Sequence, residues 1–424
     1  AKSGIDERRA FRAQEKRSNL VSIAEISRGA GEQGSRGANS PPHPGNRRLP
    51  TPAPLLPVVA IDCPSGMNTD TGALDPVTIP ADLTVTFAGP KRGHFKFPGA
   101  AACGELVVAD IGIPADLPEV QSVLVELVTA DYARQLLPPR PADGHKGTFG
   151  KALIVAGSGE YWGAPVLAAR AALRTGAGLV ALAVPEKIRP TIAGQLPEAT
   201  YPPVADQTTF NADGARFLLE KIDSYQALLV GPGLGEAESF LKTFLGIGEA
   251  IDFIQDRLAD KGQDRLLPPL VVDADGLNLL SQMEEWPGRL PPNTILTPHP
   301  GEMARLMGIP LSELRQMDRI DVAREKAAEW NHVVLLKGAY TVIAAPDGRC
   351  ALLPFANPAL ATGGTGDVLA GVIVSLLAQG LEPYEAAILG GYLHGAAAES
   401  YGKKAGLLAH ELADFVPEML SALR

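Results

Sequence analysis

Four glycines and one acid crowd into "LATGGTGDVLAG", residues 360–371, before the chain turns apolar. Gly363, Gly364 and Gly366 let the backbone pass close to a ligand, and a helix running on from Val368 would aim its first amides at it. Such a terminus favours anions, phosphate above all. Asp367 falls in the first turn, where it reads either as an ordinary helix N-terminal acid, contributing about 0.3–1 kcal/mol, or as a carboxylate that does chemistry beside the anion. The stretch is not a Walker loop, because no Gly-Lys-Ser/Thr follows it.

Two other stretches carry groups of the same kind. "LLKGAYTVI" at 335–343 sets Lys337 and Gly338 at the end of one apolar run and Thr341 near the start of another, a hairpin-like turn able to hold a nucleotide's phosphates or adenosine. An exposed loop lysine is the plainer reading. "LTPHPGEMARL" at 296–306 ends a strand in two prolines, a histidine and an acid. His299 reads as a structural histidine or as a ligand contact. Glu302, one turn on, could order a hydrated magnesium ion, which keeps several waters and needs few carboxylates. Upstream, "GSGEYWGAPVLAARAALRTGAG" places a glycine-rich loop before a helix with Ala164 at its entry, and "LLVGPGLG" ends a strand in three glycines, Gly233 among them; each alone is compatible with ordinary turn chemistry.

The elements that must position these groups alternate. "KALIVAGS", "LVALAVP", "ALLVGPGLG", "PLVVDADGLNLL", "NTILTPHPGEMARLM" and "HVVLLKGAYTVIA" are apolar runs of strand length, interleaved with helical patterns and ending in Gly, Asp, His or Lys. That order predicts an α/β unit, a mostly parallel sheet with helices on both faces, whose ligand site lies outside the carboxyl ends of the strands. Before it, "PVVAIDCPSG", "DLTVTFAGPKRGHF" and "GELVVADIGIP" read as three strands with little helix between them, the first a buried strand feeding a loop. Parallel sheets need crossover helices, so these look like the tail end of a domain. Residues 1–56 are Gly-, Ser-, Pro- and Arg-rich without a sustained period and read as a disordered tail. The expected boundaries are 1–56, 57–130 and 131–424.

Composition sets the outer limits. The 424 residues carry 38 Lys and Arg against 48 Asp and Glu, a net charge of −10, so no global nucleic-acid footprint is present and small molecules are the expected partners. The ten basic and five acidic residues of positions 1–50 form a locally basic stretch, read as a solvated tail in preference to a nucleic-acid or membrane arm. Cys63, Cys103 and Cys350 are far apart and suggest neither a disulfide framework nor a zinc site. The longest apolar runs, such as 368–378, fall short of the roughly 18–20 residues of a membrane span. No secretory leader is evident, and the expected compartment is the cytoplasm.

Taken in order, "GSGEYWGAPVLAARAALRTGAGLV", "VGPGLG", "VVDADGLNLL", "LTPHPGEMARL", "LLKGAYTVI" and "ATGGTGDVLAG" resemble the ADP/ATP-dependent NAD(P)H-hydrate dehydratases, which have a ribokinase-like fold. The likeness runs from about Tyr132 to the C-terminus. It implies repair of nicotinamide cofactor hydrated at C6: the hydroxyl of the S epimer of NADHX or NADPHX is phosphorylated by ADP or ATP, then phosphate leaves and NADH or NADPH returns. By the same resemblance Asp367 is the base at the substrate hydroxyl, Ala164, Gly233 and His299 are substrate contacts, and Lys337, Gly338, Ala339, Tyr340, Thr341 and Gly366 are nucleotide contacts. Glu302 as a magnesium-linked acid follows the wider ribokinase-like pattern. The resemblance also implies a homo-oligomer.

The segment before it is similar to the last part of the Rossmann-like NAD(P)H-hydrate epimerase domain, with Asp62 matching a substrate contact and Ser65 a potassium ligand. The expected asparagine-bearing loop of that domain has no counterpart in residues 1–56, so the expectation is a remnant without epimerase activity. Two competing readings remain at this point: a ribokinase-like kinase of a vitamin precursor, and a nucleotide-binding protein that has lost catalysis.

Overall fold

The computed structural model describes residues 56–114, 116–204, 209–247 and 267–424. The expected tail, 1–56, lies outside them except for its last residue. The chain divides into two compact units, one ending at Val123 and one spanning Leu124–Arg424.

The smaller unit holds a parallel sheet of three strands, β1 (Val59–Ile61), β2 (Leu83–Phe87) and β3 (Glu105–Ala109), in that order. Between β1 and β2 the chain makes turns and no helix, as the sequence pattern predicts. One expectation is corrected. "PVVAI" is not a buried strand: Val59 and Ile61 are 52% and 65% exposed. Strand β1 is an edge strand, hydrogen-bonded to β2 alone among the described residues, and its apolar sequence therefore overstates its burial.

The larger unit is built on nine strands: β4 (Val125–Leu127), β5 (Lys151–Val155), β6 (Leu179–Ala183), β7 (Ala227–Val230), β8 (Leu270–Val272), β9 (Ile295–Leu296), β10 (Val333–Leu336), β11 (Val342–Ala344) and β12 (Cys350–Leu352). Their order is β4-β12-β11-β10-β9-β8-β7-β5-β6. The six strands β5 to β10 are mutually parallel, so their carboxyl ends share one edge. Strand β11 turns back antiparallel to β10, which makes "LLKGAYTVI" the hairpin its sequence suggests. Strand β4 pairs with β12, so the large sheet recruits residues that precede position 131.

All four residues of β7 and of β10 are buried, as expected of strands covered on both faces. On one face pack α1 (Gly163–Thr175), α5 (Thr365–Ala378), α6 (Pro383–Ser400) and α7 (Ala409–Leu423), with a continuous core of Ala, Val, Leu and Ile. Helix α5 is apolar all round, and every residue from Val368 to Ala378 is buried. It reaches α1 at closest approach through Gly371, where a Cβ would stand 2.1 Å from Ala168 O. Three further helices, α2 (Asp275–Leu280), α3 (Pro300–Met307) and α4 (Arg319–Trp330), lead away from the carboxyl ends of β8, β9 and the following turn. No helix among the described residues is long and apolar enough to cross a membrane.

Candidate active site

The parallel strands deliver their chemistry to the shared edge. Strand β7 ends at Gly231 and Gly233, β8 at Asp273, β9 at Thr297 and His299, and β10 at Lys337. The "TGGTGD" turn supplies Asp367 from the first turn of α5. Gly364 caps that helix with a φ of 90°, a conformation open to glycine at little cost. His394, on α6, holds the same turn: its Nε2 lies 2.9 Å from the Thr365 carbonyl. Burial keeps the imidazole neutral, with a pKa pushed down to about 4, so Nε2–H donates.

Lys337 is the hub. Its Nζ donates to Asp273 Oδ1 at 2.7 Å and lies 3.7 Å from Glu302 Oε2. Asp273 is 1% exposed and also accepts from Thr297 Oγ1 at 2.7 Å. Burial disfavours the ammonium, yet Asp273 and Glu302 outweigh it and hold Lys337 above the ordinary lysine pKa. A Cβ on Gly366 would sit 3.5 Å from Lys337 Nζ and 4.0 Å from Asp273 Oδ2, so this charge cluster abuts the amide end of α5. Asp367 feels the cluster. Burial, reinforced by the negative charge of Asp273 and opposed by Lys337, pushes its pKa up to about 7. A carboxylate so placed can take and return a proton near neutrality.

His299 fits the structural reading left open by its sequence. Its Nδ1 caps α3 by accepting from Gly301 N at 2.9 Å and Glu302 N at 3.3 Å, while Glu302 Oε2 accepts from His299 N at 2.7 Å. This reciprocal arrangement satisfies the free amides of the helix start. Burial holds the imidazole below its usual pKa, so the ring is neutral with its proton on Nε2. Half of the side chain remains exposed at the strand edge. Glu302, by contrast, is 5% exposed and committed to His299 N. No three His, Cys, Asp or Glu side chains converge into a metal cage among the described residues.

The remaining predicted contacts fall into two groups. Ala164 and Gly233 meet: a Cβ on Gly233, whose φ is 61°, would lie 3.0 Å from Ala164 Cβ. The Lys337–Thr341 turn is clamped by Arg319, which donates to Ala339 O at 2.6 Å and Leu336 O at 3.0 Å. Thr341 Oγ1 closes the turn onto Gly338 O at 2.9 Å, and Tyr340 takes a φ of 53°. Arg319 fills the space beside Gly338, where a Cβ would come within 2.8 Å of its Nη2.

Asp62 and Ser65 belong to the smaller unit. Asp62 Oδ1 accepts from Thr86 Oγ1 at 2.9 Å, from Phe87 N at 3.3 Å and from the Lys91 ammonium, which holds the carboxyl below its usual pKa. Ser65 is exposed in the turn that follows.

Comparison with known proteins places these observations. The profile described as NAD(P)H-hydrate dehydratase matches residues 152–418, and a profile of the YjeF-related protein N-terminus matches 51–93. The chain belongs to the NAD(P)H-hydrate dehydratase family. It is 43% identical over 371 residues to the bifunctional NAD(P)H-hydrate repair enzyme of Moorella thermoacetica, covering 86% of this chain and 67% of that protein. It is 41% identical over 294 residues to the ADP-dependent (S)-NAD(P)H-hydrate dehydratase of Bacillus subtilis, covering 69% of this chain and 96% of that one. A crystal structure of the B. subtilis ADP/ATP-dependent dehydratase, co-crystallised with ATP/Mg2+, aligns over 72% of this chain and 100% of its own with a TM-score of 0.59 at 37% identity. A ribokinase-like superfamily protein of Enterococcus faecalis, 24% identical with a TM-score of 0.57, shares the fold. Within the dehydratase family, then, the chain spans about two thirds of the length of its bifunctional relatives.

Proposed function

We propose that this chain dehydrates the S epimer of NADHX and NADPHX at the expense of ADP or ATP. The observation that carries the reading is Asp367, poised near neutrality at the amide end of α5 and beside the Lys337 cluster. The family membership narrows the substrate to the hydrated nicotinamide. Asp367 takes the proton of the C6 hydroxyl as that oxygen attacks the terminal phosphoryl group of the nucleotide. An O–P bond forms, the bond to AMP (or ADP) breaks, and the α5 amides with Lys337 stabilise charge on the group in flight. The C6–O bond then breaks with loss of phosphate and of a C5 proton, which restores the ring double bond of NADH or NADPH.

Lys337, Gly338, Ala339, Tyr340, Thr341 and Gly366 are the proposed nucleotide contacts; Ala164, Gly233 and His299 are the proposed contacts to the hydrated dinucleotide. Magnesium, when bound with the nucleotide, would supply charge neutralisation on the phosphates, and Glu302 is the proposed acid that would order its hydration shell. We further infer that the smaller unit does not epimerise in this polypeptide, since Asp62 is occupied by Lys91, Thr86 and Phe87. Potassium at Ser65 has no part in the reaction proposed. The chain is proposed to act in the cytoplasm and as a homo-oligomer, which light scattering tests. The activity is tested by the return of reduced-nicotinamide absorbance on adding nucleotide and magnesium to mixed NADHX epimers. A stable phosphorylated product in place of NADH would instead identify a kinase.

A further inference from the structure

Five large apolar side chains of the larger unit are exposed among its described residues, and two of them are adjacent aromatics, Tyr161 at 51% and Trp162 at 42%. They sit in the loop between β5 and α1. Trp162 is not loose: its Nε1 donates to Gly159 O at 2.8 Å, which folds the indole back across its own loop. Tyr161 stands against the end of β7, its Cβ 2.6 Å from where a Cβ on Gly233 would be. A side chain at 233 would thus collide with the base of the tyrosine.

The distance to the reacting group follows from α1. Gly364, three residues before Asp367, packs on Leu167: a Cβ there would lie 2.6 Å from Leu167 Cδ1 and 3.9 Å from Asp367 Oδ2. Leu167 is three residues from Ala164, about 4.5 Å of helix rise, and Ala164 adjoins the same point on Gly233 as Tyr161 does. The exposed aromatic loop and the carboxylate therefore both adjoin α1, about one helical turn apart.

We propose that Tyr161 is the platform on which the hydrated nicotinamide ring of the substrate lies. The inference rests on the dehydratase reading and adds to it a substrate-binding residue. A puckered ring that lays its CH face on an exposed aromatic explains why Tyr161 stays uncovered at this edge. It accounts for Gly233 as well, since the loop can close over β7 only where no side chain stands.

The test titrates NADPH, reduced nicotinamide mononucleotide and AMP separately into the full chain and into Tyr161→Ala, Tyr161→Leu and Tyr161→Phe, following reduced-nicotinamide fluorescence or, for AMP, calorimetry. Loss of an aromatic stacking partner should weaken NADPH and the mononucleotide by roughly 5- to 100-fold in the Ala and Leu variants. Tyr161→Phe should bind as the unaltered chain does, and AMP affinity should hold throughout, which reports an intact fold. Unchanged Kd values in both Ala and Leu variants would overturn the proposal. A loss confined to AMP would overturn it too, by assigning the platform to adenine. So would a changed mass in light scattering with unchanged affinity, which would make the loop a subunit contact. Failure of the dehydratase reading is separate, because it would appear as an unaltered chain that yields no NADH with either nucleotide.

Discussion

Lys337 Nζ and Asp273 Oδ1 form a 2.7 Å ion pair between the ends of β10 and β8, two strands that β9 separates. The pair is buried, so its worth lies in mutual compensation: either charge alone would be stranded away from water. Lys337→Met should destabilise the chain by about 3–5 kcal/mol, since Asp273 and Glu302 would lose their shared cation. Adding Asp273→Asn to that variant should recover a large part of the loss. Urea denaturation of the two single variants and the double one measures the coupling.

Asp367 should couple stability to pH in the direction opposite to a salt-bridged acid. Its pKa rises from 3.8 to about 7 on folding, so between those values the folded chain binds more protons than the unfolded one. Stability then falls as pH rises through that window. Asp367→Asn removes the penalty. Melts of this variant should show a gain of about 1–3 kcal/mol well above pH 7 that shrinks to nothing toward pH 4.

The same substitution should cost the reaction its base. Activity is expected to fall by about a hundredfold or more, with nucleotide affinity retained. The unaltered chain should show kcat/KM declining on the acid side of about pH 7, where Asp367 takes up its proton. A limb centred near the ordinary carboxylate range would contradict the raised pKa of Asp367.

Two glycines of α5 should respond differently to alanine. Gly371→Ala drives a Cβ to 2.1 Å from Ala168 O and should destabilise by about 1–3 kcal/mol or more, because backbone must move. Gly366→Ala meets only Lys337 Nζ at 3.5 Å and Asp273 Oδ2 at 4.0 Å. Its melting temperature should hold or rise, while the KM for nucleotide increases as the methyl group intrudes on the phosphate path. Thermal melts and steady-state kinetics on both variants separate packing from binding.

What the sequence showed and withheld follows from range. The hairpin at 335–343, the first turn of α5 with Asp367 in it and the turn from His299 to Glu302 are local patterns, and the backbone forms them as their spacing predicts. Asp273 was visible only as the first acid after the apolar run "PLVV". Its role depends on Lys337, 64 residues on, reaching across the end of β9 from a strand roughly 10 Å away, given the spacing of adjacent strands. Sheet order decides that, and the alternation of elements does not reveal sheet order. His394 was equally silent, a lone histidine in an apolar helix whose carbonyl partner, Thr365, lies 29 residues upstream. Strand β1 was misread because an apolar run reports the preference of its side chains for burial and not whether a neighbour covers them.

The central claim is most directly tested by following reduced-nicotinamide absorbance after the purified chain is given mixed NADHX epimers, magnesium and either ADP or ATP. The account predicts a nucleotide-dependent rise that stops with the R epimer unconsumed and is abolished in Asp367→Asn. No rise with either nucleotide, or an undiminished rise in Asp367→Asn, would contradict it.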